Sequence, residues 1–172
     1  GVIVIRRVAC TLYETNTNTG DSHHYIGRIA DQDFVGFEYT PDENICVCQV
    51  DVYVRGVQGD PSSNDYHVRI FTVDGNNDAA TIVGTSVALS GSSVSASTWV
   101  SFTFASCVSL SNGTNYSITA FIDTDGDTND DPEADGTNYW SWDYDNELGS
   151  VNKWDERVIY TWDASIPYAD LS

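Results

Sequence analysis

The chain reads as an all-β protein built as an antiparallel sandwich of two sheets, either a jelly roll or immunoglobulin-like, and three observations point there. Its clearest apolar patterns alternate with a period of two, the signature of strands with one face buried. Clusters of Gly, Ser, Asn and Asp separate these runs at short intervals. No window of about a dozen residues carries an amphipathic helix with caps, and β-branched and aromatic residues dominate the runs.

The elements follow in order. Residues 1–9, GVIVIRRVA, form a β-favouring apolar run, followed by CTLYE and by TNTNTGDSHH, which reads as a flexible connector. In ICVCQVDVYVRGV, Cys46, Cys48, Val50, Val52 and Val54 fall on one face, and Val47, Gln49, Asp51, Tyr53 and Arg55 on the other. The same alternation sets Val68 and Ile70 against His67 and Arg69, and it aligns Val100 with Phe102 and Phe104. Ile118, Ala120 and Ile122 follow, then Trp140, Trp142 and Tyr144, and last Val158, Tyr160 and Trp162. Turn-formers fill 59–64, 74–78, 90–97 and 111–115. The chain divides into a terminal strand at 1–9, a connector and first-strand region at 10–29, and a sandwich domain at 30–172.

At 172 residues the chain has the length of one ordinary domain, and 41% hydrophobic content with 5 Trp, 10 Tyr and 6 Phe gives it material for a core. Seven Lys and Arg against 26 Asp and Glu leave a formal charge of −19, which repels a phosphate backbone and argues against nucleic-acid binding. No apolar run approaches the roughly 18–20 residues that span a bilayer, and residues 1–9 are too short for a signal-peptide core. The expectation is a mature, soluble chain. No nucleophile elbow, zinc-protease, P-loop or dinucleotide motif occurs, and among so many carboxylates no pair stands out as a glycosidase dyad. The chain is therefore expected not to be an enzyme.

Several longer patterns carry a resemblance: an extended V-x-V-x-V strand at 50–54, a V-x-I-x-x-x-x-G strand and turn at 68–75, and the W-V-x-F-x-F…V-x-L-x-x-G-T-x-Y unit from Trp99 to Tyr116. Over residues 30–145 the chain resembles the jelly-roll domains, often called choice-of-anchor domains, of bacterial and phage surface proteins. The resemblance implies a jelly roll and no catalytic motif. Where such domains often place Pro before V-x-L, this chain has Cys107, which implies a family-specific disulfide.

Cysteines stand at positions 10, 46, 48 and 107, allowing three full pairings. Cys46 and Cys48, two apart on one strand, point the same way and are poorly placed to bond each other, so Cys10 and Cys107 are their natural partners and two disulfides are expected. Disulfides place the chain outside the cell. The loop DTDGDTNDDPEADG holds Asp123, Asp125, Asp127, Asn129, Asp130, Asp131, Glu133 and Asp135 without a basic residue. Asp123, Asp125, Asp127, Asn129, Asp131 and Glu133 are candidate Ca²⁺ ligands, because hard cations take six to eight oxygens, although the spacing departs from the EF-hand. Trp140, Trp142 and the outward-facing Trp99 are candidates for a sugar-stacking platform, set against the commoner fate of aromatics on alternating strands, the core. Asn112-Gly-Thr and Asn115-Tyr-Ser are N-glycosylation sequons in a turn.

Residues 1–9 carry two Arg and no acid, which leaves 5 basic and 26 acidic residues, a charge of −21, on the remainder. A basic apolar strand attached to an acidic body is either the first strand of its own sandwich or a donor strand that completes a neighbour's sheet. In the second case Val2, Ile3, Val4 and Ile5 anchor the joint, and Arg6 and Arg7 set its register against acidic groups. Repetition head to tail then gives a homopolymer. The leading expectation is a structural subunit of an extracellular filament or surface appendage whose partners are copies of itself. The alternatives are a calcium-braced module that binds glycans and a virion surface or decoration domain.

Overall fold

The computed structural model describes residues 3–6, 12–15, 22–28, 35–75, 79–125, 135–144 and 154–155. They form a β-sandwich of two antiparallel sheets. The first contains β1 (Ile3–Arg6), β2 (Leu12–Thr15), β3 (Ser22–Ile26), β5 (Ile45–Gln58), β9 (Thr98–Leu110) and β11 (Tyr139–Tyr144), in the order β2-β1-β5-β11-β3 with β9 also on β5. The second contains β4 (Val35–Tyr39), β6 (Asp65–Val73), β7 (Ala79–Thr85), β8 (Leu89–Ser90), β10 (Tyr116–Asp123) and β12 (Trp154–Asp155), in the order β12-β4-β10-β6-β7 with β8 on β6. No helix among the described residues is long and apolar enough to cross a membrane.

The core lies where the two inner faces meet. Val50, Val52 and Val54 of β5, Val100 and Phe102 of β9, Val68 and Ile70 of β6 and Ile118, Ala120 and Ile122 of β10 are all buried, as their alternation predicts. Trp140 stacks on Tyr66 with ring centroids 3.5 Å apart and planes 7° from parallel, joining the two sheets. Neither the Trp140 indole nitrogen nor the Tyr66 hydroxyl finds a hydrogen-bond partner among the described residues. Burial, reinforced by the charge of Asp135, pushes the Tyr66 phenol far above its ordinary pKa.

Two expectations are corrected. The connector ends earlier than the sequence implies: Ser22, His23 and His24 belong to β3, which pairs with β11. In β5 the alternation does not run unbroken through the cysteines. Val47 is fully buried with Ile45, and the pairing with β9 shifts between Val47 and Gln49. That irregularity resets the phase, so Val47 and Val50 both face inward while Cys46 and Cys48 are only half-buried.

Candidate assembly edge

The long central strand β5 organises the first sheet. One edge pairs with β9 from Ile45 to Val54. The other is divided end to end between two short strands, with β11 pairing from Val54 to Gln58 and β1 pairing from Gln49 to Val52. The terminal strand thus completes its own sheet in this chain, in a slot that ends where β11 begins. The register sets Ile3 opposite Val52 and Ile5 opposite Val50, the two core-facing positions, and sets Val4 opposite Asp51 and Arg6 opposite Gln49. Arg6 thus takes the register position diagonal to Asp51. Val2 and Arg7 lie outside the described residues.

The slot has a polar outer rim. Asp51 is buried although its strand faces outward at that position, and Gln49 bridges it to the neighbouring strand, its amide donating to Asp51 Oδ1 and, at 3.2 Å, to Ser101 Oγ. Beside it Tyr53 and Trp99 meet edge to face at 5.6 Å, with Trp99 42% exposed. β2 pairs with the far side of β1 and forms the outer strand of the sheet, so the slot is filled by a hairpin rather than by a lone strand. Alternation alone gave no sign of that hairpin or of β11 sharing the edge.

Of the candidate aromatics, only Trp99 presents a face to solvent. Trp140 and Trp142 are buried at 0% and 2% exposure, held between the sheets by the packing of Trp140 on Tyr66 and Phe102, and so cannot form a sugar platform.

One disulfide joins Cys48 to Cys107, with Cα atoms 4.2 Å apart. The same register irregularity that turns Cys48 out of the core brings it beside Cys107, since Val47 pairs with Val108. Cys46 carries a free thiol among the described residues, 3.5 Å from Ser109 Oγ, so the expected second bridge is not formed there. Cys10 lies outside them.

The acidic loop begins at Asp123, the buried last residue of β10, which stands opposite Asp65 and accepts the Asp125 N–H at 3.1 Å. Asp127, Asn129, Asp131 and Glu133 lie outside the described residues, and among those described no three metal-ligating side chains converge. Asp135 closes the loop as a bracket. Its carboxylate accepts from Asn64 Nδ2 at 2.9 Å, from Asn138 Nδ2, and from the backbone N–H groups of Thr137 and Asn138. Desolvation alone would raise its pKa, but these bonds outweigh it and hold the carboxyl below the ordinary value.

The two sequons are not equivalent. Asn112 is exposed at the tip of a turn closed by Thr114 N–H to Ser111 O, with Gly113 at φ +71°. Asn115 is half-buried, and its amide nitrogen donates to Glu38 Oε2 at 2.7 Å. Comparison with known proteins finds no matching family model, curated protein or solved structure.

Proposed function

We propose that this protein is a non-enzymatic structural subunit of an extracellular filament or surface appendage, in which the strand at Ile3–Arg6 leaves its own β5 and fills the equivalent slot of the next copy. The observation that carries the reading is the divided edge of β5. The terminal strand occupies a gap whose far end is closed by β11, and its removal would open backbone groups at Gln49–Val52 beside the core valines. The sequence between β2 and β3, NTNTGD at 16–21, has the small, polar composition of a linker. Attraction between a strand bearing Arg6 and Arg7 and an acidic body favours encounter between copies. The Cys48–Cys107 bridge suits an oxidising, extracellular setting, and calcium held by the 123–135 loop would brace the end of the sandwich.

The test is deletion of residues 1–9, followed by size exclusion and negative-stain electron microscopy with and without a calcium chelator. The full chain is expected to polymerise and the truncated chain to remain monomeric. Polymers formed by the truncated chain would refute the reading. A second reading, glycan binding, rests on the exposed Trp99 beside Tyr53. Titration with a glycan panel, followed by Trp fluorescence in the native chain and in Trp99→Ala, decides it, and a flat response in the native chain removes it.

A further inference from the structure

We infer that the free edge of β9 at Thr98–Phe102 pairs with the same edge of a second copy, joining two first sheets about a two-fold axis. From Ala79 to Ile122 the sequence holds no Asp, Glu, Lys, Arg, His or Pro, although charged residues make up 19% of the chain and leave it at −19. Topology sets β7, β8 and β9 of this stretch along one flank of the sandwich. Among the described strands β9 pairs only with β5, and β7 ends the other sheet. Between the two, Val87 N–H donates to Thr103 O at 2.8 Å, and Gly84 lies against the Val108 side chain. The large apolar side chains that are exposed among the described residues, Ile82, Val87 and Trp99, all belong to this stretch. An uncharged flank with exposed apolar side chains, on a strongly acidic molecule, marks an interaction surface.

Within the flank the backbone selects the edge. Antiparallel strands turn both backbone groups of a residue to the same side and alternate residue by residue. Thr103 O accepts from Val87, away from β5, so the backbone groups of Trp99 and Ser101 face outward as well. Among the described residues nothing bonds to them. The pairing of β9 with β5 runs without a shift from Thr98 to Thr103, which keeps this edge flat. Proteins blunt such edges with charge, Pro or a bulge. The other edge strands carry such devices or polar groups: β2 contains Glu14, β3 contains His23 and His24, β12 contains Asp155, and β7 is interrupted by two register shifts against β6. Residues 98–103 have none of these.

Charge selects a second copy as the occupant. Two chains at −19 repel wherever their acidic surfaces meet, and they approach at least cost along a flank without charge. A basic partner would be drawn to the acidic surfaces instead. The edge is also self-complementary. Antiparallel pairing about Val100 sets Trp99 of each copy opposite Ser101 of the other, so that their N–H and C=O groups satisfy one another and the contact closes at two copies. The outer face of the second sheet offers no such site, with Thr119 and Phe121 at 0% exposure and His67 at 1%. The inference does not rest on the assembly reading, because β1 lies on the opposite edge of β5.

The test replaces Ser101 in the full chain with p-benzoylphenylalanine, mixes isotopically light and heavy preparations, irradiates, and maps the adducts by mass spectrometry. The expected result is a light-to-heavy cross-link within residues 98–103. Inter-chain adducts confined to other segments, or none from a folded variant, would overturn the inference. A second readout leaves the edge unaltered. In the native chain the amide hydrogens of Trp99 and Ser101 should exchange several-fold more slowly as protein concentration rises, and Ser101→Lys should abolish that dependence by bringing like charges together. Exchange independent of concentration in the native chain would also overturn the inference. Failure of the assembly reading would remove filaments and leave both results in place, whereas failure of this inference would leave filaments without the 98–103 cross-link.

Discussion

Replacing both Cys48 and Cys107 with Ala should destabilise the domain by about 4 kcal/mol. The bridge closes a loop with a sequence separation of 59. In the chain-entropy treatment a loop of that size removes about 14 cal/mol/K from the unfolded ensemble, or about 4 kcal/mol at 25 °C. Packing changes little in this comparison, because Cys48 is half-buried and Cys107 exposed, so the alanines leave no core cavity. The bridge also ties β5 to β9 at the point where their register breaks, and the variant should fray first there. Urea titration followed by Trp fluorescence reads the difference. At a slope of about 2 kcal/mol/M the midpoint should fall by about 2 M, and the melting temperature should fall by about 8–16 °C. A loss below about 1 kcal/mol would refute the reasoning. It would mean that the loop between the cysteines stays compact in the unfolded chain or that the pair is not bonded in the folded one.

Asp135→Asn should cost about 1–2 kcal/mol, since its bracket of bonds from Asn64, Thr137 and Asn138 is weakened. Because the folded-state pKa lies below the ordinary carboxylate value, the stability this group adds is present above that value and is lost as pH falls through the folded pKa. Urea midpoints of the native and variant chains should therefore differ at pH 7 and converge as the pH falls below the ordinary carboxylate range. Trp140→Ala should cost about 3–5 kcal/mol and Trp99→Ala less than about 1 kcal/mol, read by the same titration, because the first is fully buried against Tyr66 and the second lies at the surface. Secreted from a host that N-glycosylates, the chain should carry a glycan at Asn112 alone. Mass spectrometry should show the adduct vanish in Asn112→Gln and persist in Asn115→Gln, because the acceptor nitrogen of Asn115 is committed to Glu38.

Much of the sandwich was legible because a strand with one buried face writes its orientation into alternate residues. Val50, Val52, Val54, Val100, Phe102, Ile118 and Ile122 needed nothing more than a period of two to be placed in the core. The same rule failed at Cys46 and Cys48. A register irregularity inserts a phase change that leaves no mark in local composition, so Val47 went to the wrong face and the half-buried cysteines to the core. Trp140 and Trp142 were ambiguous because an aromatic stripe is the same string of letters whether it meets a sugar or an opposing sheet. Only the stacking partner Tyr66, more than seventy residues away in sequence, decides it.

The covered outer face of the second sheet was hidden for a related reason. His67, Arg69 and Thr119 are polar, and polar residues alternating with apolar ones read as a solvated face. Burying them requires hydrogen bonds and ring contacts that come from elsewhere in the chain, such as Thr85 Oγ1 accepting from Arg69 Nε at 2.9 Å and the Phe121 ring against the Arg69 guanidinium and the His67 ring. The candidate assembly edge sits between these cases. Composition isolates Ile3–Arg6 as a basic apolar strand, and the register shows which β5 residues it faces, Val50 and Val52. In the proposed assembly the same pairing would satisfy the strand in a neighbour's sheet as it does in its own, since the hydrogen bonds formed would be identical in the two. If copies do exchange the strand, the balance between closed monomer and open filament would depend on the concentration of copies rather than on any contact within the slot.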